Sequence, residues 1–149
     1  MMGWVIKNGI FQFLGGVFSA SSVLVRDTQA QGPNLKTVSV LKSGLSGASV
    51  TATNLIPAGC FLLGVTVRVT TAITGATSFS IGDGSDADRW GATIAVAAGT
   101  TTTIANFTAN GFGQFTAANN VVLTANGGDF ATGAVRVTAH YLDLSPATS

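Results

Sequence analysis

The chain has 149 residues, enough for one domain with its own core, and only 9% of them are charged. Seven Lys and Arg stand against six Asp, Glu is absent, and the formal net charge is +1. That pattern excludes a nucleic-acid surface, since Lys7, Lys36, Lys42, Arg26, Arg68, Arg89 and Arg136 are scattered singly where phosphate binding needs a cluster; 46% hydrophobic content with so little charge excludes intrinsic disorder.

Residues 1–34 read as an N-terminal arm and linker. The aromatic residues Trp4, Phe11, Phe13 and Phe18 give this arm its apolar content and are its candidate docking contacts. The uncharged run from Asn8 to Val25 resembles a signal peptide or short membrane span. Asn8, Gln12, Gly15, Gly16 and three serines dilute it, and it barely reaches the ~18 residues a bilayer requires, so an ordered arm packing on a neighbouring subunit is the expectation and no membrane is. The polar stretch Arg26 to Asn34, with Gly32 and Pro33, has no periodicity with which to bury a face.

From Leu35 to Ser149 the period is two. Val65, Val67 and Val69 share one face of a strand, and Thr66, Arg68 and Thr70 share the other. The same alternation marks 77–81, 121–125 and 135–141, with further strands expected over 37–41, 49–54, 93–97 and 101–107. Glycine-bearing turns are expected at 44–47, 57–59, 82–84, 111–113 and 127–128. About eight short antiparallel strands at this spacing predict an all-β fold, a β-sandwich or jelly roll with an extended N-terminal arm.

The densest polar cluster follows the fourth of these strands: Gly82-Asp83-Gly84-Ser85-Asp86-Ala87-Asp88-Arg89-Trp90. Three carboxylates in six residues supply hard oxygens of the kind Ca²⁺ takes, but the bidentate Glu of a calcium loop is missing. The plainer reading is a strand-connecting loop whose Asp side chains bond local N–H groups while Arg89 pairs with one of them. Trp90 either plugs the end of the core or, with Asp83, Asp86, Asp88 and Arg89, offers a stacking platform to a glycan or a contact to a neighbouring subunit. No metal or other cofactor is expected.

Catalysis has little to work with. Cys60, the only cysteine, sits in the apolar run Cys60-Phe61-Leu62-Leu63 and reads as a small buried hydrophobe. His140 sits mid-strand with no nucleophile elbow in the chain, and no glycine loop carries the Lys of a phosphate cradle. The chain is therefore not expected to be an enzyme.

One resemblance goes further. The run Ile56-Pro57-Ala58-Gly59, the segment Leu63 to Phe79, the pair Gly82-Asp83, Arg89-Trp90-Gly91 and the closing Gly133 to Leu144 resemble a C-terminal β-sandwich module of phage and gene-transfer-agent virion proteins. The likeness spans about residues 55–144. In that family the module closes larger tail, fibre or baseplate proteins and serves surface attachment; here only a short arm precedes it. The resemblance implies a virion location and a structural role, either as a capsid decoration (cement) protein or as a head- or tail-fibre module that binds a host receptor or glycan. Its implied partners are the major capsid protein or other virion proteins, a host surface glycan in the fibre case, and copies of itself in a homo-oligomer, with a trimer favoured.

Overall fold

The structure is a computed structural model and describes residues 4–7, 10–13, 34–104 and 113–144. The chain divides into two compact units, Met1–Ala30 and Gln31–Ser149. In the first, β1 (Trp4–Lys7) and β2 (Ile10–Phe13) form an antiparallel hairpin with Trp4 opposite Phe13 and Ile6 opposite Phe11. Phe18 lies outside the described residues.

The second unit is all-β. Its strands are β3 (Asn34–Ser43), β4 (Ser49–Ile56), β5 (Cys60–Thr74), β6 (Ser78–Gly82), β7 (Gly91–Ala95), β8 (Gly113–Phe115), β9 (Asn119–Asn126) and β10 (Thr132–Asp143). They form two four-stranded antiparallel sheets ordered β3-β10-β5-β8 and β4-β9-β6-β7. The neighbours β3 and β10, β4 and β9, β5 and β8, and β6 and β7 are four nested hairpin partners. A long hairpin rolled up so that its two layers face each other has this order, which is that of the eight-stranded jelly roll.

Alternation decides which residues meet between the sheets. Val65, Val67 and Val69 of β5 and Val135, Val137 and Ala139 of β10 are buried from one side; Phe79 and Ile81 of β6 and Val121 and Leu123 of β9 are buried from the other. Phe130 meets Phe79 edge-on, with ring centroids 6.4 Å apart. Full burial of side chains of this size supplies ~1.5–3 kcal/mol each, which is what holds the two layers together.

Two expected elements differ. The segment 101–107 is not a strand over its described part: Thr101 makes a single bridge to Arg68, and residues 102–104 run beside β5 with the Thr102 N–H donating to the Val67 carbonyl. Conversely, Gly113, expected in a turn, opens β8, whose three residues are held by pairing with Cys60, Phe61 and Leu62.

Candidate functional site

The loop between β6 and β7 is built around Asp83. Its Oδ1 accepts the Ser85 N–H at 3.1 Å, the Ser85 hydroxyl at 2.8 Å and the Asp86 N–H at 3.0 Å, while the Arg89 Nε lies 2.8 Å from its Oδ2. Burial pushes this carboxyl up, but the bonds from Ser85 and Asp86 and the charge of Arg89 outweigh it and hold Asp83 below the usual carboxylate range. Asp86 also bonds the loop backbone, its Oδ1 accepting the Asp88 N–H at 3.3 Å. The loop closes tightly on Gly82, where a Cβ would overlap the Asp86 carbonyl. Asp88 is exposed and Asp86 half-buried.

Trp90 is 8% exposed and belongs to the hydrophobic core, and its backbone N–H donates to the Ile81 carbonyl. An indole so placed presents no face for a sugar to stack on. Of the five residues singled out in this loop, Asp83 and Arg89 are brought together as a pair, Asp86 and Asp88 share one local bond, and Trp90 is turned away from them into the core. Among the described residues no three His, Cys or Asp side chains converge as a metal-ligand set.

The two residues weighed as nucleophile and base, Cys60 and His140, lie on the neighbouring strands β5 and β10. Cys60 is buried, its thiol donates to the Pro57 carbonyl at 3.0 Å, and burial pushes its pKa up, away from the reactive thiolate. His140 Nε2 lies 2.9 Å from the Thr66 hydroxyl on the neighbouring strand.

What the sequence reading passed over is the outer face of the sheet β3-β10-β5-β8. Register lays Leu41, Arg136, Arg68 and Thr101 in one row across it, and Ser39, Thr138 and Thr66 in the next. Hydroxyls bond across the strands: Ser39 with Thr138, and Thr74 with Thr132 at 2.8 Å. Two of the large hydrophobic side chains most open to solvent, Leu35 at 68% and Leu41 at 45%, stand on β3 at the edge of this face. Arg68 and Arg136 are both exposed and directly opposite one another. In the period-two pattern they are one outward residue on each of two strands; only the pairing of β5 with β10 makes them a cluster.

On the other side of the same two strands, Lys36, in phase with Val38 and Val40, meets Asp143, in phase with Val137 and Ala139, at 2.6 Å, an ion pair that holds the Lys36 ammonium above its ordinary pKa through the hydrogen bond and charge of Asp143.

Fold and surface together define an eight-stranded jelly-roll domain with a hydroxyl-rich sheet face that carries two exposed arginines. No family model matches the chain, and no curated protein matches it. Among solved structures, a chain of the cyanophage Pam1 capsid asymmetric unit is similar, at 24% identity and a TM-score of 0.49 over 87% of this chain and 99% of that one.

Proposed function

We propose that the chain is a non-catalytic structural protein of a tailed-bacteriophage particle, a decoration (cement) protein that packs on the head shell through its jelly roll. The observation that carries this reading is the outer face of the sheet β3-β10-β5-β8, where threonine and serine hydroxyls, exposed Leu35 and Leu41 and two arginines replace the mixed charges of a free surface. Soluble monomers keep roughly a quarter of their residues charged, with both signs mixed, and a face that lacks that mixture supports coverage by a neighbouring subunit of the particle. The sequence likeness to virion modules supports the choice of particle. The fibre alternative drew on Trp90 as a glycan platform, and a core tryptophan lends it no support.

The test is electron cryomicroscopy of particles carrying a tagged chain. Label on the head shell is the expected result; label on the tail, or none on purified particles, overturns the reading. Removal of residues 1–30 sharpens it, because that unit is separate from the jelly roll. The shortened chain is expected to keep its β-sheet circular dichroism and to be lost from particles.

A further inference from the structure

The jelly-roll unit carries five cations and five carboxylates in its described residues. Lys36 pairs with Asp143 and Arg89 with Asp83. That leaves Lys42, Arg68 and Arg136 against Asp86, Asp88 and Asp129, and none of these six forms an ion pair among the described residues. The unmatched charges are not mixed. Two cations, Arg68 and Arg136, oppose each other on the outer face of one sheet, and two carboxylates, Asp86 and Asp88, stand two residues apart in a loop of the other.

Like charges directly opposite across two strands repel. The pair is tolerable where a carboxylate partner offsets it, and Arg is the side chain best shaped to bind one through two parallel hydrogen bonds. Among the described residues neither arginine has such a partner, and the loop that carries Asp86 and Asp88 belongs to the opposite sheet.

We propose that the occupant of this face is a second copy of the chain, whose Asp86 and Asp88 seat on Arg68 and Arg136. The contact joins two different surfaces, so it is head-to-tail, and repeating it closes a ring when the rotation permits, a trimer in the smallest case beyond a pair. Leu41, beside Arg136 in the same row, is the apolar neighbour that such a contact would cover. The inference is independent of where the protein works, since the isolated chain is expected to associate without any particle.

Sedimentation velocity on the full chain tests it, at low ionic strength and at about 1 M salt, where screening shortens to about 3 Å. The wild type is expected to form a discrete ring at low salt and to fall to monomer at high salt. The face variant Arg68→Glu/Arg136→Glu and the loop variant Asp86→Lys/Asp88→Lys are each expected to be monomeric in both, and the combination of all four substitutions to associate again, because both charges are then exchanged. Circular dichroism melts report whether each variant folds; if a reversal does not, the neutral pair Arg68→Thr/Arg136→Thr takes its place and is expected to be monomeric. A wild type that stays monomeric at low salt overturns the proposal, as does a folded four-fold variant that fails to reassociate when both parents have lost association. So does a monomer whose melting temperature rises with an acidic oligosaccharide in the wild type and not in the face variant, which would make the face a site for a soluble anion.

Discussion

The jelly roll holds two clusters of like charge, and it treats them in opposite ways. The loop Asp83 to Asp88 packs three carboxylates into six residues, yet Asp83 is surrounded by donors, a guanidinium stands beside it, and Asp86 bonds the backbone two residues on. The pair Arg68 and Arg136 is 68 residues apart in sequence, and the β5–β10 register brings it together with no ion-pair partner among the described residues. A dense charge motif can thus be a self-sufficient turn, while two scattered residues become the exposed feature. What decides is whether the local backbone supplies partners.

The sharpest way to break the self-sufficient half is at its hinge. Gly82→Ala places a Cβ against the Asp86 carbonyl. Because that obstacle is backbone it cannot rotate away, and the loop must reopen at a cost of about 3 kcal/mol, the upper range for overpacking. The melting temperature from circular dichroism is expected to drop accordingly; a drop no larger than that of an exposed-site control would mean the loop yields freely.

Asp83→Asn comes next. It removes the charge that Arg89, only 22% exposed at its side chain, lies against, and a hydrogen bond to a charged group is worth ~1.5–3 kcal/mol. Asp88→Asn, at an exposed carboxylate that serves no donor in the loop, is expected to stay within ~0.5 kcal/mol of wild type. The two also differ in acid. Asp83 is held below its ordinary value of 3.8, so its contribution to stability is complete above that pH and is lost as pH falls through the lower folded-state value. Urea midpoints measured from pH 5 down to pH 2 should therefore fall less steeply in Asp83→Asn than in Asp88→Asn. Parallel curves would assign the acid limb to other carboxylates.

Just past the loop, Ala92 and Thr93 of β7 face the single residue Ser80 of β6, and Thr93 takes the left-handed conformation at φ 54°. A β-branched residue is strained there, by roughly 1–2 kcal/mol. Thr93→Asn, a residue that accepts this conformation, is expected to gain up to about 1 kcal/mol in urea unfolding. A loss would show that the threonine side chain makes a contact worth more than the strain.

The two clusters also mark how far the sequence could be read. Alternation separated Val65, Val67 and Val69 from Thr66, Arg68 and Thr70, and the former are buried while the latter face out, because a pleated strand with one face on a core leaves no other choice. The bonds around Asp83 were legible for a related reason: an Asp followed by Ser and a further N–H two or three residues on closes a local ring whatever the rest of the fold does. The short strand β8, the irregular path of 101–104 and the meeting of Arg68 with Arg136 depend on which strand lies alongside. No local pattern encodes that, since β3 pairs with β10 across about a hundred residues.

The smallest effect concerns the unpartnered half, and its sign is what matters. If Arg68 and Arg136 only repel each other, then Arg136→Thr relieves a cross-strand like-charge pair and puts a residue of high β-propensity in its place, with Thr138 two positions along as precedent. The isolated, monomeric chain should then become more stable by a few tenths of a kcal/mol, and since exposed charges are screened, the gain should shrink between low salt and about 1 M salt. The same substitution removes half of the proposed seat for Asp86 and Asp88, so association should weaken as the monomer strengthens. Opposite movements of the two quantities, read from urea midpoints at high dilution and from sedimentation at high concentration, are the signature of a residue kept for contact at the expense of fold stability. If both fall together, Arg136 supports its own sheet, through its long aliphatic stem lying over the hydroxyl rows, and the contrast between the two clusters is one of geometry alone.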